Sequence, residues 1–162
     1  MEQQTHLGQQ WLENLLELMG FPAKVIVENR ESILGEPDEC WLTIEDNQLT
    51  SEQIAILIGN KGESIDAIQY LANTLINLSV DAEQQQGFTV ELNGYRFKRQ
   101  QELTAWTQEL AEQVRQTGQE VEMTALSSAE RRQIHTFLKD ATDLETESRG
   151  QEPDRRLVIK PR

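Results

Sequence analysis

The chain has 162 residues, 37% hydrophobic and 27% charged, which suits one medium globular domain or two small ones. No apolar run approaches the length of a membrane span, and no basic segment leads into an apolar one at the N-terminus, so neither membrane helix nor signal peptide is expected. The formal net charge of -13 argues against a tight, non-selective binder of polyanions, but not against a short clamp. The acidity is uneven: residues 1–93 carry 3 Lys/Arg against 16 Asp/Glu, whereas residues 94–162 carry 12 against 12. The single cysteine, Cys40, cannot close an internal disulfide and reads as a packed strand residue beside Trp41. Cytoplasm is the default location.

From Gln4 to Gly20, Trp11, Leu15 and Leu18 mark one helical stripe, with Leu12, Leu16 and Met19 beside it, and Gly20 and Pro22 end the helix. Ala23–Asn29 is short and β-branched, a strand. A turn through Leu34–Asp38 leads to a second strand, Cys40–Glu45, paired with the first as a hairpin. Thr50 and Gln53 form a capping box for a helix presenting Ile54, Leu57 and Ile58. A second helix follows at once, with Ile65, Ile68, Ala72 and Leu75 on its buried face. After a polar turn over Asp81–Gly87, Phe88, Val90 and Leu92 alternate with Thr89, Glu91 and Asn93 in a half-buried strand closed by Asn93-Gly94.

Gly59-Asn60-Lys61-Gly62 is all that joins the two central helices. Glycine at both ends allows positive φ and leaves no Cβ to obstruct a ligand at the backbone. Amides around Gly62–Ser64 open the second helix, a natural phosphate site, and Lys61 adds a mobile positive charge. The same four residues are also ordinary punctuation of a helical hairpin, with Ser64 as N-cap.

From Tyr95 a long helix runs to Gly118, with Leu103, Trp106, Leu110 and Val114 as its apolar stripe and Arg96, Lys98 and Arg99 in its first turns. Val121–Met123 reads as a short strand. Ser127 and Glu130 cap a helix of about three turns ending near Asp140. Leu144–Thr146 and Leu157–Ile159 are the last strands, separated by a turn at Gly150 and Pro153. Arg131 and His135, four apart, are expected on one exposed ridge of the capped helix, opposite Ile134, Phe137 and Leu138. A guanidinium and an imidazole there suit phosphate oxygens. Arg155, Arg156 and Lys160 add positive charge along the terminal strand.

I-G-N-K-G between two helices resembles the GXXG loop of the KH nucleic-acid-binding domain, and the order helix, strand, strand, helix, loop, helix, strand is that of its bacterial type II form. E-R-R-Q-I-H, followed by E-T-E-S-R-G-Q-E-P-D-R-R-L-V-I, resembles the R-3-H domain, which binds single-stranded nucleic acid. Together they are similar to the bacterial Jag family of KH plus R-3-H RNA-binding proteins. Many members of that family carry a further domain and linker ahead of the KH region, and roles that depend on such an extension are not expected here.

The resemblance implies an α+β protein: a KH type II domain over residues 1–94, with three strands covered on one face by helices, and an R-3-H domain over residues 95–162, a small sheet with two helices. It implies a binding module for single-stranded RNA, or alternatively single-stranded DNA, acting as a post-transcriptional regulator or chaperone-like adaptor. Gly59, Asn60, Lys61 and Gly62 would clamp about four nucleotides. Arg131 and His135, with Arg155, Arg156 and Lys160 and the basic pair Lys98 and Arg99, would hold backbone. It further implies a partner, either a small KH protein or a second copy of the chain. The competing reading is a protein-interaction adaptor whose KH fold no longer binds nucleic acid. No cofactor, metal or enzymatic activity is expected: there is no spaced His/Cys set, nucleophile elbow or Walker loop, and Asp140, Asp143 and Glu145 read as solvated acids rather than a cation site.

Overall fold

The computed structural model describes residues 2–30 and 39–162, so the turn expected at 34–38 lies outside the described residues. It divides the chain into two compact α+β units, residues 1–96 and 97–162. The elements of the first are α1 (Glu2–Leu18), β1 (Val25–Arg30), β2 (Glu39–Ile44), α2 (Ser51–Ile58), α3 (Glu63–Ile76) and β3 (Phe88–Leu92). β1 pairs antiparallel with β2, and β3 lies parallel to β2 on its other side, so β1 and β3 are the sheet edges.

The core of this unit sits between one sheet face and the helices. Cys40, Leu42 and Ile44 alternate inward from β2, and Phe88, Val90 and Leu92 from β3, as a two-residue period requires. They meet Leu12 and Leu16 of α1, Leu57 of α2, and Ile65, Ile68, Ala72 and Ile76 of α3. Burial pushes the Cys40 thiol up, leaving a small packed side chain rather than a nucleophile. Three expectations need correction. The buried stripe of α1 is Gly8, Leu12 and Leu16, while Leu18 is 86% exposed. In α3 Ile76 is buried and Leu75 is exposed, one position from the stripe expected. Glu91, expected on the wet face of β3, is buried because the amides of Leu92 and Arg96 both donate to its carboxylate.

The second unit holds most of α4 (Tyr95–Thr117), then β4 (Val121–Met123), α5 (Ser128–Leu138), β5 (Leu144–Arg149) and β6 (Arg156–Pro161). Its sheet is antiparallel throughout, in the order β4-β6-β5. Leu157 and Ile159 of β6 face a core with Leu103, Ala111 and Val114 of α4 and Ile134 and Leu138 of α5. Both final strands run longer than their apolar residues suggest, because main-chain pairing continues through Ser148↔Leu157 and Arg149↔Arg156. Phe137, expected in this core, is 47% exposed. Among the described residues no helix is long and apolar enough to cross a membrane, and no three His/Cys/Asp/Glu side chains gather as a metal set. Asp143 instead accepts from Arg115 Nε at 2.7 Å.

Candidate nucleic-acid interface

α2 begins with the capping box read from Thr50 and Gln53: Gln53 N–H donates to Thr50 Oγ1 at 3.1 Å, and Thr50 N–H to Gln53 Oε1 at 2.9 Å. It ends at Gly59, with φ 76° and ψ 179°. Lys61 (φ 53°) and Gly62 (φ 77°) also hold positive φ, and α3 starts at Glu63. Three of four loop residues are therefore at positive φ, a conformation that costs an L side chain roughly 1–2 kcal/mol. Gly62 is buried against Tyr95, and a Cβ there would fall within the Tyr95 ring and hydroxyl. A Cβ on Gly59 would sit 2.8 Å from Ser64 N. Both glycines are needed for space as well as for φ.

No side chain caps α3, whose N-cap is Gly62 rather than Ser64. The Glu63 amide turns back to Asn60 O. Beyond it the first-turn amides have no intrahelical acceptor, the condition under which a helix start attracts an anion. Asn60 and Lys61 are exposed at the tip. Asp66, which from sequence places negative charge beside the loop, is paired: Arg96 Nη1 donates to Asp66 Oδ1, Nη2 to Gln69 Oε1 at 3.0 Å, and Nε to Val90 O at 3.0 Å. Arg96 thus ties the first two turns of α3 to the end of β3 and offsets a carboxylate near the loop.

In the second unit the Ser127–Glu130 capping box forms as expected and starts α5. Arg131 does not stand on an exposed ridge; it is 5% exposed. Its Nη1 donates to Leu126 O at 2.7 Å and to Arg155 O at 3.5 Å, and its Nη2 reaches the Glu152 carboxylate. The guanidinium fastens the start of α5 to the turn between β5 and β6, because buried carbonyls need a donor and Arg supplies several. His135 is half-buried against β5, with Nδ1 2.6 Å from Thr146 Oγ1 and Nε2 3.0 Å from Ser148 Oγ. A hydroxyl can donate or accept, so the pair accommodates a neutral ring. Burial first, then the charges of Arg131 and Arg155, hold His135 below the usual histidine range.

Arg131, His135 and Arg155 are brought together. Arg156 and Lys160 are not, because they alternate with the core residues Leu157 and Ile159 and so lie on the opposite face of β6. There Arg156 pairs with Glu122 at 2.8 Å and Lys160 with Glu147 at 2.9 Å, while Arg149 donates to Glu120 and Glu147. Arg99 is likewise held by Glu130 at 2.8 Å. Lys61 and Lys98 are exposed and have no ion pair among the described residues. Sequence reading missed Tyr95 as the floor under Gly62, and Thr146 and Ser148 as partners of His135. Only the alternation of small hydroxyls along β5 could have signalled the latter.

Residues 101–161 match the family model of the R-3-H domain. The chain is 27% identical over 150 residues to the RNA-binding protein KhpB of Clostridium symbiosum, covering 93% of this chain and 63% of that protein. It is 30% identical over 137 residues to the RNA-binding protein KhpB of Bacillus subtilis (strain 168), covering 80% of this chain and 64% of the relative. The matched region is thus just under two thirds of the length of each relative.

Proposed function

We propose that this chain binds single-stranded RNA, clamped by its backbone on the loop Gly59-Asn60-Lys61-Gly62 of a KH-type first unit, with the R-3-H unit as a second contact. The observation that carries this is the loop itself: three residues at positive φ, two glycines packed too tightly for a side chain, and an uncapped fourteen-residue helix behind them. Such a junction offers main-chain donors and one mobile lysine, which suits phosphate rather than base edges. The resemblance to proteins named for RNA binding supports the same reading. In the second unit Arg155 and the rim of His135 would meet the strand, and Arg131 would serve by holding the turn that presents them. The chain would act as a regulator or adaptor on RNA rather than as an enzyme.

The test is fluorescence anisotropy with labelled single-stranded RNA, duplex RNA and single-stranded DNA over a salt series. Single strands should bind the wild type, and Asn60→Asp with Lys61→Asp should remove that binding, since both residues are exposed and the change places charge against phosphate. Wild type that ignores every oligonucleotide at low salt would overturn the reading. It would favour a protein-interaction adaptor, which the pairing of Arg99, Arg149, Arg156 and Lys160 with carboxylates supports. Its partner would then be a small KH protein or a second copy of the chain.

A further inference from the structure

β3 is an edge strand, yet most of its outward main-chain groups are already used. Asn73 Nδ2 donates to Phe88 O at 2.8 Å while Phe88 N–H donates to Asn73 Oδ1 at 2.8 Å. One step on, Asn77 Nδ2 donates to Gln86 O at 2.8 Å and Gln86 N–H to Asn77 Oδ1 at 3.0 Å. In the other direction Val90 N–H donates to Gln69 Oε1 at 2.9 Å, Arg96 Nε donates to Val90 O, and Leu92 N–H donates to Glu91. The three amide side chains stand four residues apart, Gln69 and Asn73 on α3 and Asn77 as its C-cap, and their targets stand two apart, Val90 and Phe88 on β3 and Gln86 just before it. Four helical residues rise about 6 Å and two strand residues about 6.6 Å, so helix and strand run antiparallel in matched register. Asn and Gln suit this ladder because each amide carries both a donor and an acceptor.

This seam begins beside the loop, since Gly62 lies on Tyr95, three residues beyond the end of β3. The other edge, β1, lies across the sheet. A base read by main chain next to the loop would need the β3 edge, and there the outward groups of Gln86, Phe88 and Val90 are all engaged. We infer that Gln69, Asn73 and Asn77 make the first unit a sequence-tolerant clamp: it takes single-stranded RNA by phosphate and does not read base edges along β3. This rests on the RNA reading proposed above. The amide ladder sets specificity by exclusion, and equally closes β3 to an added peptide strand.

The full chain would be titrated with labelled oligo-A, oligo-U and oligo-C RNA, and the amide protons of Phe88 and Val90 followed by NMR hydrogen exchange with and without RNA. Affinities within about threefold of one another, less than one good base-edge contact would confer, would support the inference. So would Phe88 and Val90 amides slow to exchange in the free protein and unchanged by RNA. A preference of about tenfold or more for one base, with shifts at Phe88 or Val90 on binding, would overturn it while leaving the clamp intact. Fast exchange of those amides in the free protein would overturn it without any RNA present. Failure to bind all three oligonucleotides would instead overturn the clamp reading, and this inference with it. Asn73→Ala should speed exchange at Phe88 and leave Val90, held by Gln69, slow.

Discussion

Replacing Arg131 with Met separates a structural role from a ligand role, because the methionine keeps much of the buried volume and removes every donor. The bond to Leu126 O, made by a charged group at 2.7 Å in a buried setting, contributes about 1.5–3 kcal/mol. The pair with Glu152 adds no more than about 1 kcal/mol, since that carboxylate is 61% exposed and its field is screened. The long contact to Arg155 O adds little. The second unit should therefore lose roughly 2–4 kcal/mol. Hydrogen exchange of the Ile134 and Leu157 amides, both in its core, reads that loss locally, and should accelerate by about 30- to 1000-fold. Glu152→Gln, the milder variant, should change exchange by less than about tenfold. RNA affinity of Arg131→Met, measured where the unit remains folded, should fall only modestly. Unchanged exchange together with abolished RNA binding would refute this reasoning and make the guanidinium a direct phosphate contact.

Gly62→Ala should destabilise the first unit by about 2 kcal/mol or more, from positive φ and the collision with Tyr95, so urea unfolding of this variant should shift while that of Lys61→Asp does not. His135, held low by burial and by Arg131 and Arg155, stays neutral in the fold but titrates near 6.5 once unfolded. The unfolded state then binds the extra proton, so stability present above that pH is lost as pH falls through the lowered folded value. Exchange at Leu157 followed between about pH 7.5 and 5.5 should show this loss, and His135→Asn should flatten it. Glu122→Gln with Glu147→Gln should release Arg156 and Lys160 from their carboxylates. Anisotropy would then show several-fold tighter RNA binding at low salt and a salt slope steeper by about one to two phosphate contacts.

Local signals in the sequence were reliable where a single physical rule governs them. Both capping boxes, the glycine loop and the alternation in β2 formed as read, because each depends on neighbours within four residues or on a simple period. Errors arose where tertiary partners decide. Leu18 and Phe137 look like core residues by type, yet the faces that α1 and α5 bury lie elsewhere. Arg131 reads as a surface cation until the carbonyls of Leu126 and Arg155 close around it. The basic tail looks like a phosphate surface, but strand pairing sets Glu122 and Glu147 on either side of Val158, within reach of Arg156 and Lys160. Gln69, Asn73 and Asn77 went unread in the sequence, because their spacing takes meaning only from the edge of β3 running alongside.

The central claim is that main chain at the glycine loop holds the RNA, and amide chemical-shift mapping of the full chain with single-stranded RNA tests it most directly. The amides of Lys61, Gly62, Ser64 and Ile65 should shift on titration, and those shifts should vanish in the Asn60→Asp, Lys61→Asp variant. Shifts confined to residues 97–162, with the loop amides unmoved, would contradict it.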